Sequence, residues 1–309
     1  MLVDTQSLFD FLMSNPSEKD CIDYFEKVAW NGQPTSPFDP TSKVYKVSNK
    51  RYQYKCKNTG KYFNIRTSTV LKGSRIEIKK WLFALLLFSS QRISSYQLAK
   101  HINVAQKSAW YVEHRLRLAF DSPAFKAKLG NVVEIDETYM GGANPNRHWN
   151  KKVPHSQGRS WKDKTPTLVM VEKGGNLIAR VVPNVEQKTL VPIIRANIRE
   201  GSDIHTDEWK AYNNLKKWYN HQVVNHRFKQ YVNGKVSVNA AENFNSHLKR
   251  GIYGTYYQIS RQHSQRYVDE SAFRHNTRKY SIKERFDLAL ASTVGKKLTY
   301  KELTSACAD

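Results

Sequence analysis

The chain has 309 residues, with 50 Lys and Arg against 27 Asp and Glu, a formal charge of +23 and a pI near 9.8. That excess opposes compaction unless a polyanion is the partner, which puts nucleic acid ahead of a ribosomal-type or membrane-surface role. With 39% hydrophobic and 12% aromatic residues the chain can bury a real core, so it is not a disordered basic tail, and its length suggests two or three units.

The longest apolar run, Trp81 to Phe88, falls far short of the roughly 20 residues that span a bilayer. The N-terminus shows no basic leader followed by an apolar stretch, so a cytoplasmic protein with no membrane partner is expected. Cys21, Cys56 and Cys307 are odd in number and far apart, which argues against a disulfide framework.

Within residues 1–70, the stretch 36–63 alternates aromatic and polar residues around Gly and Asn turns, as a small hairpin module does. A zinc ribbon would need two Cys-x-x-Cys pairs, but the ligand positions read Ser36, Asp39, Cys56 and Thr59. One thiolate cannot hold a structural zinc. A degenerate, metal-free ribbon packed by Phe38, Tyr54 and Phe63 is expected instead.

Residues 71–122 read as a helix-turn-helix domain. Trp81, Ala84, Leu85 and Phe88 recur at helical spacing, a short helix follows from about Ser95 to Lys100, and a second helix from Ala105 carries Ala109, Val112, Leu116 and Ala119 on one side. Between the last two helices, Asn103 suits the left-handed backbone of a tight turn. The second helix would then offer Gln106, Lys107, Ser108, Tyr111 and Arg115 to DNA.

After a Pro- and Gly-containing linker at 121–131 the period changes, and a catalytic unit is expected over 130–285 with a tail at 286–309. Strands are predicted at 132–135, 167–173 and 177–183, then a helix through Leu190, Val191, Ile194 and Ile198. A strand at 202–207, a helix over 208–215 and a fifth strand at 221–226 follow. That order belongs to the ribonuclease H-like α/β fold, a mixed five-stranded sheet covered by helices.

On this topology Asp136 ends the first strand and Asp207 ends its neighbour, while Glu242 lies on a later helix whose Phe244 and Leu248 pack inward. Converging carboxylates suit two hard cations, Mg²⁺ or Mn²⁺, which act on phosphodiesters. Glu134, on the same strand face as Asp136, and Glu137, next in sequence, remain rival ligands. Lys249 follows Glu242 by seven positions, on nearly the same helix face, as a phosphate contact. The basic insertion 146–164 carries six Lys and Arg against one Asp, and Arg147, Lys151, Lys152 and Arg159 are candidate phosphate contacts. Beyond Ser260, a cap candidate, Tyr267 and Phe273 read as core and Arg261, Arg266 and Arg274 as further DNA candidates.

The segments "VVEIDETYMGG", "GRSWKDKTP", "IHTDEWKAY" and "LKRGIYGTY" with "RYVDESAFRHNTR" resemble the ISXO2-like insertion-sequence transposases, a bacterial DDE group. The resemblance implies a triad of Asp136, Asp207 and Glu242, with Lys249 as companion and adjoining Arg250 beside it on the DNA. It also implies two divalent metals, recognition of the element's terminal inverted repeats, cleavage at their ends, and joining of the 3′-OH to target DNA. Cutting two ends in concert suggests a homodimer or larger homo-oligomer, expected at the bacterial nucleoid. The lone Cys56 departs from the family's ribbon, which puts zinc in doubt. A nuclease or resolvase that cuts without joining is the nearest alternative, and a non-catalytic DNA-binding regulator the next.

Overall fold

The computed structural model describes residues 14–48, 52–67, 69–142, 144, 147–154, 156, 160, 162–224, 232–233 and 236–305. Cys307 and the end of the fifth predicted strand, Asn225 and His226, lie outside the described residues. The chain divides into two compact units, Met1–Ser122 with Lys279–Asp309, and Pro123–Arg278.

In the first unit, helix α1 (Glu18–Trp30) begins on a capping box in which Ser17 Oγ accepts from the Asp20 N–H and Asp20 accepts from the Ser17 N–H. Three short antiparallel strands follow, β1 (Val44–Lys46), β2 (Tyr54–Cys56) and β3 (Tyr62–Phe63). Tyr54 and Phe63 meet at 5.7 Å and Phe38 meets Phe63 edge-on at 6.5 Å, as aromatic packing of the module requires. Trp30, on α1, completes the cluster by meeting both Tyr54 and Phe63 edge-on.

The four ligand-type positions do not all surround Cys56. Asp39 turns aside to accept from the Thr41 N–H and Asn58 Nδ2, while Ser42 joins Ser36 and Thr59 around the sulfur of Cys56. Burial raises the Cys56 pKa, but hydrogen bonds from these three hydroxyls outweigh it and bring the thiol down to about 6.

Helix α2 (Ile78–Ser90) buries Trp81, Leu82, Leu85 and Phe88, and its uncapped first turn is served by Glu18, which accepts from the N–H groups of Ile78 and Lys79. Helices α3 (Ser95–Ile102) and α4 (Gln106–Phe120) are joined through Asn103, which holds φ +48° as the tight turn demands. Ala109, Val112, Leu116 and Ala119 are all buried, the face anticipated from their spacing.

The second unit carries a five-stranded mixed sheet. Its strands are β4 (Val132–Met140), β5 (Thr165–Glu172), β6 (Leu177–Val181), β7 (Asp203–Thr206) and β8 (Asn220–Val223), in the order β6-β5-β4-β7-β8. The pairs β4/β5 and β5/β6 are antiparallel, whereas β4/β7 and β7/β8 are parallel. The first and fourth strands of this sheet are therefore neighbours, the adjacency the sequence order implied. β4 is longer than predicted because its pairing with β5 continues to Met140 opposite Thr165. Its pairing with β7, by contrast, stops at Glu134 opposite His205, so Asp136 stands beyond the last paired position on that side.

Helix α5 (Gln187–Asn197) lies against one face of the sheet with Leu190 and Ile194, packed on Val133, Ile135, Leu168 and Met170. Where a helix was expected over 208–215, a 3₁₀ segment at Lys210–Lys217 lies on the same side, anchored by the buried Tyr212 and Leu215. Two-residue strands β9 (Val232–Asn233) and β10 (Val236–Ser237) lead into α6 (Asn239–Gly251). Phe244 and Leu248 of α6 and Val268 of α7 (Ser264–Asn276) cover the opposite face through Val169, Val171 and Met140. Ser260, expected to cap this last helix, precedes a 3₁₀ turn at Arg261–His263 and makes no side-chain cap. Tyr267 and Phe273 are buried as predicted.

From Lys279 the chain rejoins the first unit, where the sequence suggested a catalytic unit running to 285 and a tail. Helix α8 (Ile282–Ala291) buries Phe286 fully and accepts a 2.7 Å hydrogen bond from Tyr24 at Asp287, and α9 (Tyr300–Thr304) buries Leu303.

Candidate active site

Strand alternation sorts the acids of β4 onto two faces. Glu134 and Asp136 look toward α6, while Glu137 looks toward the 3₁₀ segment, where the hydroxyl of buried Tyr212 donates to it. At the open edge beyond β7 the two faces converge. One carboxylate oxygen each from Asp136, Glu137 and Asp207 lies within 4.8 Å of the others, the one such acidic group among the described residues.

Asp207 follows β7 directly and accepts at 3.1 Å from the Trp209 N–H, so it also starts the next turn. Glu242 is exposed on the first turn of α6 and is not in the 4.8 Å group. It lines with Asp136, Asn245, Lys164 and Lys249 a cavity of about 400 Å³ on the α6 side of the strand. Glu137 and Tyr139 line that cavity too and reach into a second one of about 490 Å³, which they share with Asp207, Trp209 and Lys210. Asp136 stands between these acids, and Lys249 shares the cavity with Glu242 as its seven-residue spacing anticipated.

Electrostatics mark Asp136 as the centre. Burial first, then the charges of Asp207 and Glu242, push its pKa up to about 6, against hydrogen bonds from the Glu137 N–H and from Asn245 Nδ2, both at 2.8 Å. A carboxylate held under repulsion among all-oxygen donors is a site short of positive charge. That donor set fits a hard divalent cation and not a soft one.

Glu134, a rival ligand in the sequence, has another task. It is buried, and it accepts from Ser237 Oγ at 2.7 Å and from the N–H groups of Ala240 and Ala241 at 2.6 and 3.3 Å. Its charge thus sits on the N-terminus of α6, the favourable end of the helix dipole, and locks the helix bearing Glu242 to the strand bearing Asp136.

Residues 128–276 match the family model of the ISXO2-like transposase domain. A protein of Haemophilus influenzae described as an uncharacterized transposase-like protein is 32% identical over 97 residues, 31% of this chain and 77% of that protein. The chain belongs to the ISXO2-like transposase family. A Halobacterium salinarum protein in transposable element ISH50 is 26% identical over 248 residues, 76% of this chain and 83% of its own length. Among solved structures, the Mos1 transposase paired-end complex with left transposon end covers 96% of this chain and 94% of its own at 16% identity, with a TM-score of 0.28. The Mos1 strand transfer complex covers 71% and 78% at 16% identity, with a TM-score of 0.27.

The DNA-contact candidates of this ISXO2-like transposase separate by environment. Gln106 and Lys107 are exposed and Ser108 half-buried at the start of α4, although Gln106 Nε2 donates to Ser95 Oγ at 2.8 Å and Lys107 lies 5.0 Å from the Tyr300 ring. Tyr111 and Arg115 serve the fold instead. The Tyr111 hydroxyl donates to the Leu298 carbonyl at 2.7 Å, and Arg115, 5% exposed, donates to the carbonyls of Leu298 and Lys72. Those donors are spent on Lys72 and on the return segment, a partner no local pattern announced.

Arg147 Nη2 donates to the Asp163 carbonyl at 2.9 Å, Lys152 and Arg250 are exposed, Lys151 lies on a 3₁₀ turn, and Arg159 lies outside the described residues. Arg274 is paired at 3.3 Å with the buried Glu270, Arg266 approaches His263 Nδ1 at 3.4 Å, and Arg261 faces a cavity shared with Arg147. Glu137 is the acid whose place in the cluster the sequence did not select. Its signal was adjacency to Asp136, and only a strand continuing past its parallel neighbour lets residues on opposite faces converge.

Proposed function

We propose that this transposase cleaves DNA at the ends of its insertion sequence and joins the freed 3′-OH to target DNA. The observation that carries the reading is the meeting of Asp136, in the part of β4 that runs on past its pairing with β7, and Asp207, just after the end of β7, with Glu242 beside Asp136 in the same cavity. The sheet order with a central parallel pair supports a ribonuclease H-like catalytic unit. Asp136, Asp207 and Glu242, joined by Glu137, would hold two Mg²⁺ or Mn²⁺ ions. Such ions, when bound, supply activation of the attacking hydroxyl and stabilisation of the leaving oxygen.

The protein's own residues do the rest. Asn245 orients Asp136, Glu134 fixes the helix that presents Glu242, and Lys249 contacts the phosphate next to the acids. Arg147, Lys151, Lys152, Arg159 and Arg250 add backbone affinity without sequence choice, while Gln106, Lys107 and Ser108 at the start of α4 meet the terminal inverted repeats as the second helix of a helix-turn-helix. Two ends cut in concert call for at least a dimer.

The test uses a plasmid carrying the element's own ends, with a labelled 3′-OH strand. The wild-type chain should cut and join in Mg²⁺ or Mn²⁺, and Asp136→Asn should abolish both while end binding persists. Cutting without joining would instead assign a nuclease or resolvase, and unaffected cleavage in Asp136→Asn would refute the site.

A further inference from the structure

Beside the acidic cluster lies a cavity of about 630 Å³ that the proposed chemistry does not use. Arg147, Lys162, Lys164 and Arg261 line it against one acid, Asp163, and Lys164 also lines the cavity of Asp136 and Glu242. Its volume falls within the range of small-molecule sites. Two exposed tyrosines complete the wall, Tyr253, whose hydroxyl donates to the Gly141 carbonyl at 3.1 Å, and Tyr257, 76% exposed.

Tyr257 is held there at a backbone cost. It follows a π-helical turn over Ile252–Tyr256 and adopts φ +59° and ψ −57°, while the Gln258 N–H donates back to the Tyr256 carbonyl at 2.6 Å. That is a γ-turn of positive φ, a rare and strained conformation that a glycine would adopt more easily than a tyrosine. An aromatic side chain that gains nothing from burial, kept in a conformation hostile to it, points to a ligand for its ring.

From this combination of cationic walls, exposed aromatic ring and shared lysine we infer that the cavity binds an unpaired nucleotide of the DNA. The base stacks on Tyr257, and its phosphate is met by Lys164 and Arg261. Stacking tolerates any base because every base offers a π-face, and cations along the same groove follow the backbone. The inference rests on the proposed action on DNA, but not on cleavage or joining.

The test is fluorescence anisotropy with the full chain in EDTA, using a labelled short duplex of arbitrary sequence and the same duplex with one unpaired 2-aminopurine nucleotide. The parent should prefer the second duplex and quench its 2-aminopurine. Tyr257→Gly, which relieves the backbone, should fold with an unchanged or raised Tm, keep its affinity for the paired duplex and lose about tenfold for the unpaired one. Tyr257→Phe should retain preference and quenching. Equal losses on both duplexes, an undiminished preference in Tyr257→Gly, or a Tyr257→Phe that behaves like the glycine variant would each overturn the assignment. A chain that neither cuts nor joins DNA could still pass this test, and one that does both could still fail it.

Discussion

Asn245 Nδ2 donates to Asp136 Oδ2 at 2.8 Å, so a helix that brings an acid to the site also brings the amide that steadies its central carboxylate. Burial and the neighbouring acids push the Asp136 pKa up to about 6, and this hydrogen bond favours its charged form. Asn245→Ala should raise that pKa further. Followed by NMR in the metal-free protein, the midpoint of the Asp136 carboxyl titration should therefore move to higher pH. A profile that keeps its midpoint would disprove the coupling.

Glu134 offers a stability prediction. Glu134→Ala removes the acceptor of three hydrogen bonds at the N-terminus of α6 and leaves buried donors unmet. The expected cost is about 2–4 kcal/mol in urea unfolding of the second unit. Glu134→Gln, which keeps one acceptor oxygen, should recover part of it, and an alanine variant as stable as the parent would show that α6 needs no such anchor.

Glu137 and Glu242 should separate in cation binding. Because Glu137 belongs to the tight group with Asp136 and Asp207, Glu137→Gln should weaken Mn²⁺ binding to the DNA-free protein by calorimetry, by about tenfold or more. Glu242→Gln should spare that first binding event and abolish cleavage. The reverse pattern would move the primary cation to the α6 side of Asp136.

Acid stability should turn on His275. Burial first, then the charges of Arg278 and His247, push its pKa down to about 4, and its Nε2 is buried without a hydrogen-bond partner among the described residues. Near pH 5 the unfolded chain therefore binds the proton that the folded one refuses, so stability rises with pH. The contribution is complete above about 6.5 and disappears as pH falls through 4. Replacing His275 by Met should flatten urea-unfolding free energies between these limits, and an unaltered slope would assign the acid sensitivity elsewhere.

Strand alternation and helical spacing carried the sheet order, the buried face of α4 and the pairing of Asp136 with Asp207, because each depends on local period and chain order. Contacts between distant segments left no such trace. Tyr111 and Arg115 had the composition of DNA readers, yet their donors go to Leu298, 187 and 183 positions away in sequence. The hydroxyl of Ser42 beside Cys56 had no signal either, because Ser42 lies outside the ligand spacing and reaches the sulfur only through the hairpin fold. Convergence of Glu137 depended on where β7 ends, a fact of register that residue types do not encode.

The return of Lys279–Asp309 to the first unit reverses the usual order of maturation on the ribosome. Domains generally fold from the N-terminus as they emerge. Here the α/β unit is one unbroken stretch and is complete once Arg278 has been translated, whereas the first unit waits for Phe286, Leu298 and Leu303 to fill its core. A product of premature termination would carry a finished second unit and an unfinished first one. Under the proposed division of labour such truncated copies would be poor competitors for the element's ends.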